Sequence, residues 1–88
     1  MLFMITYQTT LATDRAGQAR FKETAGAAPP ANIRKSASFH RVDGGGGFVL
    51  AETDDPIALG RWCNQWTDLI ILDCRPVLTD EQIMQVLS

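Results

Sequence analysis

Apolar and polar positions along the chain fall into alternating and helical rhythms. Leu2 to Gln8 carries the β-formers Phe3, Ile5, Thr6 and Tyr7. Its first residues are apolar on both parities, which predicts a strand in the middle of a sheet. Thr9-Thr10 break that run, and Thr10 or Thr13 is placed to cap a helix over 12–25. The stripe of that helix is mostly alanine (Ala12, Ala16, Ala19), with Phe21 its one large anchor, and Gly17 costs about 1 kcal/mol relative to alanine. Gly26-Ala27-Ala28-Pro29-Pro30 ends it, because proline has no N–H and keeps the preceding residue out of the α region. Residues 32–43 alternate as a strand of mixed polarity, four glycines (44–47) make a hairpin connection, and residues 48–53 return. Asp55 then suits an N-cap and Pro56 a first helical position. The helix they open runs to about Thr67, with Leu59, Trp62, Cys63 and Trp66 on one stripe at i, i+3, i+4 and i+7. Residues 69–78 form a strand rich in Ile and Leu, and Pro76 near its end places it at a sheet edge or a bulge. Thr79-Asp80-Glu81-Gln82 matches a capping box. It opens a short C-terminal helix expected to dock by Ile83, Met84, Val86 and Leu87.

The order is βαββαβ with an added helix. Right-handed crossovers turn that order into a four-stranded antiparallel sheet with both crossover helices on one face, in one α+β domain over 1–88. Pairing Val42 with Phe48 across the glycines sets His40 opposite Leu50 and Ser38 opposite Glu52. One face then carries Ile33, Ala37, Phe39, Val49 and Ala51, suited to lie under the helices. The other carries Arg34, Ser36, Ser38, His40, Val42, Phe48, Leu50 and Glu52. A slip of one residue exchanges the faces of one strand. On this register the open face is partly apolar and is buried only by a second copy of the sheet, which predicts a homodimer with a pocket lined by Ser38, His40 and Glu52.

Composition narrows the classes. With 88 residues there is room for one core, of the size that usually needs a disulfide, a metal or a partner subunit. A net charge of −2 with mixed signs speaks against nucleic acid or an anionic membrane as partner. Cys63, Cys74 and the single His40 make neither a disulfide framework nor a metal site of usual spacing, so no metal or cofactor is expected. The N-terminus is apolar but brief, without a basic region or a small-residue cleavage site, and reads as a strand. No apolar run approaches the ~18 residues of a membrane span. With reduced cysteines, the expected compartment is the cytoplasm. The four glycines lie between strands and open no helix, so the N–H geometry of a phosphate loop is missing.

Four segments carry a resemblance: Met1-Leu2-Phe3-Met4-Ile5, Gly47-Phe48-Val49-Leu50-Ala51-Glu52-Thr53-Asp54-Asp55-Pro56, Gln65-Trp66-Thr67-Asp68-Leu69 and Pro76-Val77-Leu78. Together they resemble a small bacterial domain-of-unknown-function family, DUF3303, within the dimeric α+β barrel superfamily. The resemblance covers nearly the whole chain, the stretch from Ala25 to Arg34 matching least. It implies a ferredoxin-like fold and a homodimer, and it implies no activity. The wider superfamily holds cofactor-independent monooxygenases, lactone isomerases, haem-degrading enzymes, chlorite dismutases and stress proteins, and fold does not choose among them. This chain lacks the second histidine of the haem-ligand and paired-base variants.

The candidate chemistry is short. His40 is the candidate base, since imidazole as a group suits proton transfer near neutral pH; the competing reading is a solvated strand histidine. Glu52 in a sheet interior would have a raised pKa and accept a proton; otherwise it is a structural partner of Arg34. Arg34 and Arg75 suit an anionic ligand or, more simply, solvated strand ends. Ser38, Phe48 and Leu50 would line the pocket. Trp62 and Trp66 lie one turn apart and either wall an aromatic ligand or pack the helix on the sheet. Cys63 and Cys74 read as small buried hydrophobes, and Asp54-Asp55 as helix-start chemistry. Two functions remain. One is a dimer that binds a small apolar or aromatic molecule or serves as an interaction module. The other is a cofactor-independent monooxygenase or isomerase acting on a small aromatic or a lactone through His40 or Glu52.

Overall fold

The N-terminal strand is the middle of the sheet. In the computed structural model, which describes residues 1–88, β1 (Leu2–Thr9) pairs antiparallel with β3 (Gly46–Glu52) on one side and β4 (Ile70–Val77) on the other. β2 (Arg34–His40) pairs antiparallel with β3, giving the order β2-β3-β1-β4. Helices α1 (Asp14–Glu23) and α2 (Pro56–Asn64) make the two crossovers, and α3 (Asp80–Leu87) follows β4. This is the ferredoxin-like α+β arrangement. β4, with Pro76, is an edge strand, where a missing N–H costs no ladder bond on the solvent side.

The helix starts follow local chemistry. Asp55 accepts a hydrogen bond from the Ala58 N–H at 3.0 Å, and Pro56 follows it. Thr79 and Gln82 form a reciprocal capping box. Thr13 occupies the N-cap of α1 but makes no capping bond; its hydroxyl instead accepts from the Thr10 N–H at 3.1 Å.

Core packing comes from α2. Leu59 and Trp62 sit with Ile5, Ile33 and Ala51 in one buried cluster, flanked by Phe3, Val49, Cys63 and Leu72. α1 packs differently from its alanine pattern. Ala16 and Ala19 are exposed, and the helix turns Asp14, Gly17, Gln18 and Phe21 inward, Gly17 being its one buried residue. A Cβ at Gly17 would lie 3.6 Å from the Thr9 methyl group, an ordinary van der Waals contact.

Three expectations are corrected. The glycine run is not all turn: Gly44 and Gly45, with φ of 80° and 84°, make the bend, while Gly46 and Gly47 belong to β3. β2 therefore ends at His40, which pairs with Gly47, and Phe39 pairs with Phe48, Ser38 with Val49 and Ala37 with Leu50. The register then shifts between Lys35 and Ala37, a bulge at Ser36 whose hydroxyl bonds the Leu50 carbonyl at 3.2 Å. One extra residue reverses the parity of the strand. Ser38 and His40 consequently face the helices with Val49 and Ala51, and Ala37 and Phe39 face out with Phe48, Leu50, Glu52 and Arg34. Lastly, α3 does not dock within the chain: none of its residues is buried, and Met84, Val86 and Leu87 are each more than 60% exposed. The radius of gyration, 14.0 Å, exceeds the ~12 Å of a compact chain this long.

Gly47 is where three strands crowd. A Cβ there would meet the Phe39 carbonyl oxygen at 2.2 Å and the Tyr7 ring at 2.7 Å, whereas one at Gly60 on α2 would meet nothing within 4 Å. Gly47→Ala is expected to destabilise the protein by roughly 1–3 kcal/mol, and Gly60→Ala to stabilise it by roughly 0.5–1 kcal/mol through helix propensity. Urea midpoints at unchanged slope read both effects. Equal midpoints for the two variants would contradict the close approach.

Candidate functional site

Tyr7 on β1 and His40 on β2 are both cross-strand partners of Gly47 on the strand between them. Because Gly47 has no side chain, the Tyr7 ring reaches across β3, and its hydroxyl lies 2.5 Å from His40 Nδ1. Ser38, two residues back on the same face, places its hydroxyl 3.4 Å from His40 Nε2. Phe21 of α1 meets the imidazole edge-on, the ring centroids 4.9 Å apart. The result is a line of hydroxyl, imidazole and hydroxyl under an aromatic lid.

This line borders a cavity of about 550 Å³ between the helices and the sheet, within the usual range for small-molecule sites. Its floor is Ile5, Tyr7, Val49, Ser38, His40 and Leu72; α1 supplies Gly17, Gln18 and Phe21, and α2 with the turn after it supplies Trp62, Cys63 and Trp66. Physical causes are visible at both walls. On the α1 side the one buried residue is a glycine, and on the β3 side Gly47 leaves the volume that Tyr7 enters. Two tryptophans hold α2 off the sheet, both at least nine-tenths buried. The indole N–H of Trp62 is buried without a hydrogen-bond acceptor. Arg20 lies over the Trp66 ring at 5.8 Å and makes a two-point ion pair with Asp68, at 2.6 and 2.8 Å.

The electrostatics favour neutral chemistry at Tyr7. Burial, and then the Asp14 carboxylate, push its hydroxyl above the ordinary tyrosine range, so the phenol keeps its proton. A phenol that donates to Nδ1 leaves the neutral imidazole with its proton on Nε2, directed at Ser38. At the rim, Lys35 donates to the Gly26 carbonyl at 2.6 Å, and Arg41 holds Asp43. No three or more His, Cys, Asp or Glu side chains converge as metal ligands would.

The sequence-predicted site residues divide. Ser38, His40, Trp62 and Trp66 share the cavity. Glu52 does not: it lies five residues from Gly47 along β3, roughly 16 Å, and on the opposite face. It pairs with Arg34, whose guanidinium holds its carboxyl below the usual glutamate range, the reverse of the raised value expected of a buried base. Arg34 is therefore spent on Glu52, and Phe48 and Leu50 lie on the outer face, the Phe48 ring tilted against Phe39 with centroids 5.3 Å apart. Expecting Ser38, His40 and Glu52 to converge on that outer face rested on a hairpin without the Ser36 bulge. Tyr7 and Phe21 were not anticipated as site residues. Tyr7 shares the parity of Ile5, and the Gly46-Gly47 pair opposite it was the available signal that a large ring crosses there.

Comparison with known proteins adds fold and family. Among solved structures, Rv0793 from Mycobacterium tuberculosis is similar over 90% of this chain and 96% of its own, with a TM-score of 0.53 at 13% identity, a likeness of fold alone. No curated protein sequence matches the chain. A family model described as a domain of unknown function, DUF3303, matches residues 1–88 from end to end, and the chain belongs to that family.

Proposed function

We propose that this protein binds a small, largely apolar or aromatic molecule in the cavity between α1 and the sheet, and does so as a homodimer in the cytoplasm. The observation that carries the reading is the cavity itself: about 550 Å³, walled by Phe21, Trp62 and Trp66, with the Tyr7–His40 pair as its polar end. Apolar walls with a few convergent polar groups suit a planar ring bearing one hydroxyl or carbonyl. No helix is long and apolar enough to cross a membrane.

The dimer rests on the outer face. Met4, Phe39, Phe48 and Ile71 are exposed there, and Ile83, Met84, Val86 and Leu87 are exposed on α3. Apolar area spread over a sheet face and an undocked amphipathic helix marks an interaction surface. In a chain too small to carry a large core, a second copy is the occupant that supplies the missing burial.

A second reading has its own observation. The Tyr7–His40–Ser38 line is arranged to move a proton, which suits a cofactor-independent monooxygenase or isomerase acting on a small aromatic or a lactone. His40 alone carries that reading, since Glu52 lies on the other face.

The three parts are separable by experiment. Titration with 1-naphthol, followed by tryptophan fluorescence, is expected to show one saturable site per protomer, weakened about tenfold in both Tyr7→Phe and His40→Ala; linear, unsaturable quenching would sink the binding site. Light scattering at micromolar concentration should give about twice the 9.7 kDa chain mass, and Phe48→Glu should give the single chain. A wild-type monomer overturns the dimer. In a screen of phenols, quinols and lactones, any turnover found should vanish in His40→Ala and survive in Glu52→Gln; turnover unaffected by His40→Ala removes the enzymatic reading.

A further inference from the structure

The cationic side chains divide into pairs and spares. Arg20, Arg34, Arg41 and Arg75 each hold a carboxylate, which leaves Arg15, Lys22, Lys35 and Arg61 without one. Two of the spares, Lys22 and Lys35, line the cavity. Lys35 is the enclosed one. It lies opposite the fully buried Ala51, on the helix-facing side of β2, and is half-buried, whereas Lys22 in the last turn of α1 is exposed.

The Lys35 ammonium is fixed in place but not neutralised. Ala25, Gly26 and Ala27 have φ of 54°, 74° and 56°, and this left-handed turn after α1 sets the Gly26 carbonyl 2.6 Å from Nζ. A carbonyl takes one of the three N–H donors and supplies no counter-charge. A cation partly withdrawn from water gains most from an anion brought to it.

Across the cavity the charge is opposite. Asp14 accepts from the Thr9 hydroxyl at 2.9 Å and the Gln18 amide at 3.0 Å, and no cation pairs with it. Thr9 lies two residues beyond Tyr7 on the same face of β1, so this carboxylate flanks the Tyr7–His40 end. Lys35 and His40 pair with Ala51 and Gly47 of β3, roughly 13 Å apart along the strand. Between the two ends runs the Phe21 ring, 3.4 Å from where a Cβ on Gly26 would stand and 4.9 Å, centroid to centroid, from the imidazole.

We propose that the cavity selects a hydroxyaryl carboxylate, its carboxylate on the Lys35 ammonium, its rings against Phe21 and its hydroxyl at the Tyr7–His40 pair. The inference rests on the cavity's being the binding site and names the class of ligand it takes. Asp14 repels an anion from the imidazole end, so the orientation follows from charge. The span between the ends suits two fused rings better than one. Lys22 adds attraction at the opening, and Arg41, held by Asp43, does not compete for the carboxylate.

Calorimetric titration of the whole chain at neutral pH, comparing 6-hydroxy-2-naphthoate with 2-naphthol, tests the assignment. The two ligands differ only by the carboxylate. The acid is expected to bind about tenfold more tightly, and high salt should weaken the acid and not the naphthol. Lys35→Met, which keeps the aliphatic stem, should remove the preference while changing 2-naphthol affinity less than about twofold. Equal affinities in the wild-type protein overturn the carboxylate end and leave the cavity as a site for neutral rings. Saturable binding of neither ligand overturns the cavity reading as well. A preference that survives Lys35→Met and disappears in Lys22→Gln overturns the assignment to Lys35.

Discussion

The extra residue that β2 accommodates at Ser36 governs which side chains the helices cover. A strand that alternates strictly from Arg34 would send Ser36, Ser38 and His40 outward and draw Phe39 in. With the bulge, the Ser36 hydroxyl takes the Leu50 carbonyl and the parity reverses beyond it. Ile33 remains under the helices as a core residue while Ser38 and His40 join the same face further along. The arrangement places a buried apolar end beside Leu59 and Trp62 and a polar end beside α1. It also leaves Phe39 beside Phe48 in the open, an apolar pair that a monomer has no means to cover.

The cavity follows from an imbalance between the two crossover helices. α2 and the turn after it meet the sheet with Leu59, Trp62 and Trp66, large buried side chains, of which Leu59 and Trp62 belong to the core cluster. α1 meets it with Asp14, Gly17, Gln18 and Phe21, of which only the last has apolar bulk. Interiors are close-packed where side-chain volume allows, and here the volume runs out beneath α1. Gly47 extends the same space into the sheet, and Tyr7 partly refills it by leaning toward His40.

The two faces of the sheet use charge differently. Outside, Arg34–Glu52 and Arg75–Asp73 are exposed pairs whose partners fix each other's charge state and contribute little to stability. On the helix side Asp14, Lys35 and the Arg41–Asp43 pair line the cavity, and beside them a protonated phenol, an imidazole and a hydroxyl meet. Groups of this kind exchange protons with a partner more readily than a locked ion pair does.

Local interactions made much of the architecture legible from residues alone. Asp55-Pro56 and the Thr79–Gln82 box specify helix starts through bonds within four residues, and both form. Apolar residues on both parities of β1 and Pro76 in β4 marked a central and an edge strand, and the sheet has that order. These signals survive because their physics is short-range or depends on burial averaged over an element. The alanines of α1 misled for a complementary reason: alanine is tolerated on either face of a helix, so it does not report which face turns inward. Tertiary structure alone decided the register of β2 on β3, because a bulge changes parity without altering composition. The meeting of Tyr7 with His40 across 33 residues depended on the same pairing. A single inserted residue moves every later side chain to the other face, and only the completed ladder records where it was inserted.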